Sequence, residues 1–316
     1  MNLNELSMCR LNIQLTKKCN QRCKMCNSYN IKDEMELTTQ EIFDIISDVC
    51  NESNISNIAF TGGEPTLRKD ILEIVSFAKK YCENVSITTN GTFITKEEDA
   101  LKLIENGVNR FTISYHGIGN HTQFTGVKES EKNIRRALSI LSSISNYKDI
   151  YVKVGMLFTN ETVNVIEDMI KYCEKLNFKL YIELPDDSIP IFENTPKDEY
   201  AISSEKMGEI IHNLNEWKLS NKPVLLTDNS IKYINKYLKK EPIIGECPLG
   251  YTDLYIGSNG NVYSGCWALE PIGNIRKDEV IHILRGEKYS KNIEKMIKRE
   301  CPGCTCGYIF QSNFIR

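Results

Sequence analysis

No stretch of the 316-residue chain is apolar for long enough to cross a bilayer as a helix, which sets a membrane-spanning role aside. Long basic runs are also missing, and the net charge is −3, so nucleic acid is a poor partner. The opening Met1-Asn2-Leu3-Asn4-Glu5 lacks the basic and apolar regions of a secretory signal, and a cytoplasmic location is expected. There is no low-complexity tract. What remains is an ordinary globular balance, 41% hydrophobic and 26% charged, with room for one large core and a smaller appendage.

Cysteine, by contrast, is plentiful: twelve residues in a chain expected to meet a reducing compartment, which argues for metal rather than disulfides. Cys9, Cys50, Cys82 and Cys173 stand singly in apolar segments and read as small buried hydrophobes. The other eight gather towards the two ends. Cys19, Cys23 and Cys26 form C-x3-C-x2-C directly after Leu11–Thr16, a run with apolar residues at every second position. Three thiolates therefore sit on one short loop leaving a strand. The C-x2-C pair alone fits a zinc knuckle or a redox pair equally well. With the third thiol the pattern fits a [4Fe–4S] cube, which takes one thiolate per iron and is left here with one iron open. An open metal position is a chemical site, whereas a closed one is structural.

From about residue 10 to 185 strand-like and helix-like segments alternate. Strands are expected at Leu11–Thr16, Ile55–Thr61, Val85–Thr89, Arg110–Tyr115, Ile150–Phe158 and Phe178–Leu184. Helices are expected at Thr38–Cys50, Lys69–Tyr81, Lys96–Asn106, Ser130–Ser143 and Val163–Leu176. Such alternation predicts right-handed βαβ units and a parallel sheet, an α/β fold. Six units fall short of a closed eight-unit barrel. Residues 186–196, rich in proline and acid, read as a loop over the barrel mouth, followed by helices at Ser204–Ser220 and Asn229–Lys240. The division expected is a core over 1–240 and a cysteine-rich domain over 241–316. In the latter, Leu254–Ile256 and Val262–Tyr263 form a hairpin around Ser258-Asn259-Gly260.

Barrel active sites gather at the C-terminal ends of strands. After the second strand stands Gly62-Gly63-Glu64-Pro65, whose glycines let backbone approach a ligand closely. After the third and fourth stand Thr88-Thr89-Asn90-Gly91 and Ser114-Tyr115-His116-Gly117. The cysteine spacing, its position after the first strand and the Gly-Gly-Glu-Pro turn together resemble the radical S-adenosylmethionine (radical SAM) superfamily. The resemblance implies an open, partial (β/α)6 TIM-like barrel. It implies a cube held by Cys19, Cys23 and Cys26, with SAM on its open iron. Reductive cleavage of SAM to a 5′-deoxyadenosyl radical would then abstract hydrogen from a substrate C–H bond. The segment Gly62, Gly63, Glu64 and Pro65 would bind the methionine amino group, with Glu64 as a carboxylate partner. Asn90 would line the pocket, Ser114 would meet the methionine carboxylate, and Met25 would lie beside the adenine or simply pack the loop. Many members carry an arginine for that carboxylate shortly past a histidine. Here Thr125 occupies the place, which leaves Lys128, Lys153, or only Ser114 and iron for the task. His116 and His121 read either as proton carriers or as polar loop residues.

At the other end, Cys247-Pro248-Leu249-Gly250, Gly260 to Cys266, Ile272-Gly273-Asn274-Ile275 and Cys301-Pro302-Gly303-Cys304-Thr305-Cys306 resemble the SPASM/twitch extensions of radical SAM maturases. Five thiols imply one auxiliary [4Fe–4S] cluster, on Cys247, Cys266, Cys301 and Cys304, or with Cys306 replacing one of them. The spare thiol, Cys306 in the first arrangement, would be inert or would donate a hydrogen atom to a substrate radical. The alternative is a zinc ribbon stapling the tail. The activity implied is oxidation, crosslinking or epimerisation of a peptide or protein. The alternatives are a sugar or aminocyclitol dehydrogenase or epimerase, and a non-enzymatic iron–sulfur or zinc protein. Only 18 residues precede Cys19, so leader recognition is expected to rest on another protein or on the tail. An electron donor such as flavodoxin or ferredoxin is implied. Glu183, Asp186 and Asp187 read as substrate contacts or as solvated loop charges.

Overall fold

The structure is a computed structural model in which residues 8–30, 35–184, 202–241, 247–298 and 300 are described. Six parallel strands follow one another in space as in sequence: β1 (Arg10–Thr16), β2 (Asn57–Gly62), β3 (Asn84–Thr89), β4 (Arg110–Ser114), β5 (Tyr151–Leu157) and β6 (Lys179–Glu183). Helices α1 (Thr39–Glu52), α2 (Ile71–Tyr81) and α3 (Glu97–Glu105) fill the first three crossovers. The fourth holds the short α4 (His121–Thr125) and then α5 (Ser130–Ile144), and α6 (Ile166–Leu176) fills the fifth. β6 does not return to β1, so the barrel is open as the unit count requires. On the β6 side, Leu225 N–H donates to Leu180 O (2.8 Å) and Leu180 N–H to Pro223 O (2.6 Å), which satisfies edge groups that would otherwise invite foreign pairing.

Beyond β6 lie α7 (Ser204–Leu219) and α8 (Asp228–Leu238), and then α9 (Leu249–Thr252). The chain continues into β7 (Asp253–Ile256), β8 (Asn261–Tyr263) and β9 (Gly273–Asn274), and closes with α10 (Val280–Leu284) and α11 (Glu287–Lys298). β7 and β8 make the expected antiparallel hairpin. The sequence does not foretell where it docks: β7 pairs in parallel with β1, Leu11 opposite Leu254 and Ile13 opposite Ile256. The sheet therefore runs β6-β5-β4-β3-β2-β1-β7-β8-β9 without a break.

Alternation along the strands separates two faces. One face carries Leu11, Ile13, Ile58, Phe60, Val85, Ile87, Phe111, Ile113, Val154 and Met156, all buried in the main core. It lies against the helices; at Gly91, Ile134 and Ala137 of α5 and Ile113 of β4 meet. The other face, in register across the strands, carries Asn12, Ser86, Thr112, Ser114 and Lys153 and forms the barrel lumen. A polar lumen behind an apolar shell is what a barrel needs to hold a polar ligand at its mouth.

Helix α1 begins in a capping box, with Thr38 Oγ1 accepting from Glu41 N–H (3.2 Å) and the Glu41 carboxylate accepting from Thr38 N–H (2.7 Å). Glu41 also accepts from Arg276 Nε (2.6 Å), and Arg276 donates to the carbonyls of Met35 and Glu36 (2.9 Å each). One guanidinium thus ties the C-terminal segment to the start of α1 and holds the Glu41 carboxyl down to about 2. A depressed carboxyl pKa contributes stability above the unfolded value that disappears as pH falls towards the folded one. Arg276→Ala is expected to lower the unfolding midpoint at pH 7 by a few degrees, with the gap to wild type closing between about pH 4.5 and 2, as followed by circular dichroism.

Candidate active site

A register shift between Gln14 and Thr16 ends the regular pairing of β1 with β2 and turns the chain into the cysteine loop. The loop is clasped by α4: Arg22 N–H donates to Thr125 O (2.8 Å) and Lys24 N–H to Phe124 O (3.0 Å). Short-range bonds fold the loop on itself, with Cys26 N–H on Cys23 O (3.0 Å), Gln21 N–H on Cys19 Sγ (3.4 Å) and Ser28 N–H on Cys26 Sγ (3.5 Å). Arg22 Nη1 closes it further through the carbonyls of Cys19 (2.9 Å) and Gln21 (2.8 Å).

The three thiols share one neighbourhood. Burial, together with Cys26 and Cys19, pushes the Cys23 thiol up to about 12, and burial raises Cys19 and Cys26 as well. Three close, buried thiols resist ionising together unless a cation compensates them, and a bound metal reverses that logic. Backbone N–H groups aimed at Cys19 and Cys26 sulfur are the donors a thiolate ligand uses. Among the described residues no three His, Cys, Asp or Glu groups converge as ligands of a single ion would. Three thiols on one loop suit a cube, with one iron for each sulfur.

The Gly-Gly-Glu-Pro turn is locked to the root of this loop. Gly63 N–H donates to Thr16 O (2.7 Å) and Glu64 N–H to Lys18 O (2.8 Å). A Cβ at Gly62 would stand 2.4 Å from Thr16 O, and one at Gly63 would stand 2.3 Å from Lys18 O. These glycines are required because two backbones touch, before any ligand is considered. Glu64 is completely buried, and its carboxylate accepts from Thr66 Oγ1 (2.6 Å), Thr66 N–H (3.1 Å), Thr89 Oγ1 (2.7 Å) and Asn90 N–H (2.7 Å). Burial raises its pKa and these bonds oppose the rise. This carboxylate braces the ends of β2 and β3.

Asn90 takes the place expected at the end of β3, donating to Asn20 Oδ1 (2.8 Å) and approaching Cys19 Sγ at 4.0 Å. Asn20 donates in turn to Thr92 Oγ1 (2.8 Å). Met25 and Cys23 pack together on Phe124 and Leu157. Ser114, half-buried, ends β4 beside Gly155. Thr125 is buried and bonded to Ser130 Oγ (2.7 Å), so nothing cationic replaces the family arginine there, and Lys128 is exposed. Lys153 lies in the lumen with its ammonium 4.3 Å from the Tyr181 ring centre.

The two histidines are buried behind this wall. His121 Nδ1 accepts from His116 N–H (3.2 Å), and His116 Nδ1 from Leu157 N–H (3.2 Å). Burial pulls them down to about 4 and about 3, which keeps both neutral near pH 7. They brace the β4–α4 loop. Sequence reasoning missed α4 and the clasp of Phe124 and Thr125 on the cysteine loop, since five residues give no readable helical period.

In the C-terminal segment Cys247 and Cys266 pack in one small apolar cluster with Leu249, Leu269 and Met296. Gly265, at φ +71°, would carry a Cβ 1.9 Å from Leu249 O, so only glycine lets the Cys266 turn approach this close. Trp267 packs against Tyr255 and Tyr263 of the hairpin. Cys301, Cys304, Cys306, Asp186 and Asp187 lie outside the described residues.

The family model of the radical SAM superfamily matches residues 13–173, just over half the chain. The chain belongs to the radical SAM superfamily. Residues 247–306 match the SPASM iron–sulfur cluster-binding domain, and with it come the two [4Fe–4S] clusters and SAM as cofactors of this radical SAM enzyme. Among curated relatives, a probable GTP 3′,8-cyclase of Pyrococcus horikoshii is 38% identical over 135 residues, 41% of this chain and 43% of that protein. The match thus spans less than half the relative's length. Among solved structures, anSMEcpe with bound AdoMet aligns over 96% of this chain and 88% of its own, at TM-score 0.69 and 20% identity. SuiB of Streptococcus suis bound to its precursor peptide SuiA aligns over 96% and 70%, at TM-score 0.69 and 14% identity. At such identities these structures establish the shared fold. Among the described residues no helix is long and apolar enough to cross a membrane.

Proposed function

We propose that this radical SAM enzyme modifies a peptide or protein by oxidation, crosslinking or epimerisation. The observation that carries the reading is the fold: it aligns over 96% of the chain with a structure holding a precursor peptide, SPASM segment included, whereas the cyclase similarity spans 41%. Cys19, Cys23 and Cys26 would hold the first cluster, and Cys247, Cys266, Cys301 and Cys304 the second, with Cys306 as replacement ligand or hydrogen-atom donor. Bound there, SAM and a reduced cluster supply a hydrogen-abstracting radical.

The chain's own contribution is positioning and exclusion of water. The backbone of Gly62, Gly63 and Glu64, with Pro65, would receive the methionine amino group; Asn90 and Ser114 would line the pocket; Met25 and Leu157 would close it with apolar surface. Lys18, Arg22 and Lys24 lie exposed on the cysteine loop, Lys18 beside Glu36 and Lys24 beside Glu161, and this face would receive an acidic electron donor such as flavodoxin or ferredoxin.

A second reading, chemistry on a small molecule such as a nucleotide, sugar or aminocyclitol, is favoured by the 38% identity to a probable GTP cyclase. Incubation of anaerobically reconstituted, reduced enzyme with SAM and each substrate class separates the two. The peptide reading expects 5′-deoxyadenosine released in step with a mass change in the peptide; turnover with GTP or a sugar alone would sink it. Solvent deuterium entering the product and disappearing in Cys306→Ala would identify epimerisation.

A further inference from the structure

The cysteine loop carries a buried donor that the protein itself does not satisfy. Gln21 is 3% exposed, and its Nε2 has no hydrogen-bond partner among the described residues. Buried polar atoms are seldom left unmet, so each one that is calls for an explanation. Ser28 Oγ, on the same loop, is another. A leucine at position 21 would fill similar space without burying an amide, so packing alone does not account for the glutamine.

The three sulfurs differ in what faces them. Cys19 Sγ receives Gln21 N–H (3.4 Å) and Cys26 Sγ receives Ser28 N–H (3.5 Å), from two residues on in each case. At Cys23 the facing group is a side chain: the thiol donates to Gln21 Oε1 at 3.6 Å. A thiol can make that bond. A metal-bound thiolate cannot, because it has no proton to give. Its charge and the amide oxygen would repel each other. A half-turn about the last bond of the glutamine, a soft and roughly twofold torsion, exchanges the two ends of the carboxamide. Nε2 then faces the sulfur in place of Oε1. The backbone stays pinned meanwhile by Gln21 N–H on Cys19 Sγ and by Arg22 Nη1 on Gln21 O (2.8 Å).

Resting on the assignment of Cys19, Cys23 and Cys26 to the cube, we propose that the Gln21 carboxamide donates an N–H···S hydrogen bond to the Cys23 sulfur ligand and thereby raises the reduction potential of the cube. Reduction adds one electron, whose charge the sulfurs share. A donor aimed at one of them favours the reduced form. The residue acts through Cys23 and makes the cube easier for an electron donor to charge.

Potentiometric titration of the anaerobically reconstituted full chain tests the bond. Wild type, Gln21→Leu and Gln21→Met are compared, following by electron paramagnetic resonance the component whose shape SAM changes. At a fixed potential near the midpoint, the reduced-to-oxidised ratio should fall about 10-fold in both variants, a shift of about −59 mV for one electron. Gln21→Met matches the glutamine in length and has no N–H. A fall in Gln21→Leu with Gln21→Met at the wild-type potential would therefore reduce the residue to packing. Should a variant fail to hold the cube, wild type decides alone. With glutamine side-chain amides labelled with nitrogen-15, electron–nuclear double resonance should show a weak nitrogen coupling to the reduced cube, since only Gln21 of the five glutamines lies on the cysteine loop. Equal potentials in all three proteins, or no coupling in wild type, overturns the bond while leaving the SAM-responsive signal in place. A wild-type preparation without that signal would instead sink the cube assignment, and the bond with it.

Discussion

Cys23→Ala is expected to abolish SAM cleavage, at least ~10³-fold, well beyond the ~10- to 100-fold typical when a group that merely supports a metal ligand is lost. Cys23 stands in the middle of the proposed ligand set, its thiol raised by burial and by both neighbours. It also packs on Phe124 and Leu157, so truncation leaves a gap little larger than one sulfur atom. The unfolding temperature of the cluster-free protein is therefore expected to move by only a few degrees. Parallel loss of fold and activity would mean that the residue is packing, whereas loss of 5′-deoxyadenosine formation with the fold retained assigns it to the chemistry.

Gly63→Ala is expected to act almost as strongly by a different route. Its Cβ would meet Lys18 O at 2.3 Å and Lys17 O at 2.6 Å, and both are backbone atoms that cannot rotate away. The root of the cysteine loop must shift, at a cost of about 1–3 kcal/mol, and Cys19 moves with it. Iron content should fall towards the half that the auxiliary cluster retains, and SAM affinity should fall by an order of magnitude or more in equilibrium measurements. Gly208→Ala is the control: no atom lies within 4 Å of a Cβ there, within α7, so that substitution should stabilise by about 0.5–1 kcal/mol. Normal iron loading in Gly63→Ala would show that the turn and the loop are not mechanically coupled.

The βα core was legible because each of its strands and helices carries its own period. Helix α1 announces itself through Thr38 and Glu41 and through Ile42, Ile45, Ile46 and Val49 at helical spacing. Expected and observed ends differ by at most three residues, and Val163–Val165 is a tighter turn ahead of α6 rather than part of it. The C-x3-C-x2-C loop and the Gly-Gly-Glu-Pro turn were legible because spacing within a few residues is local information.

Contacts between distant segments were not legible. Nothing in Arg10–Ile13 signals that Asp253–Ile256 lies alongside it, because a strand pattern does not name its partner. The inward use of Glu64 was hidden as well, since two of its four donors come from Thr89 and Asn90, some 25 residues on. Gly63 was read as a ligand-facing glycine; that it first accommodates Lys17 and Lys18 is visible only in three dimensions. That Lys153 shares the lumen face with Thr112 and Ser114 is likewise visible only once the strand register is known.

The most direct test is electron paramagnetic resonance of the anaerobically reconstituted, dithionite-reduced enzyme before and after SAM is added. A cube ligated by Cys19, Cys23 and Cys26 alone predicts a [4Fe–4S] signal that changes shape when SAM occupies the remaining iron, and that is missing when those three cysteines are replaced by alanine. An iron-free preparation, or a cluster spectrum indifferent to SAM, would contradict the account.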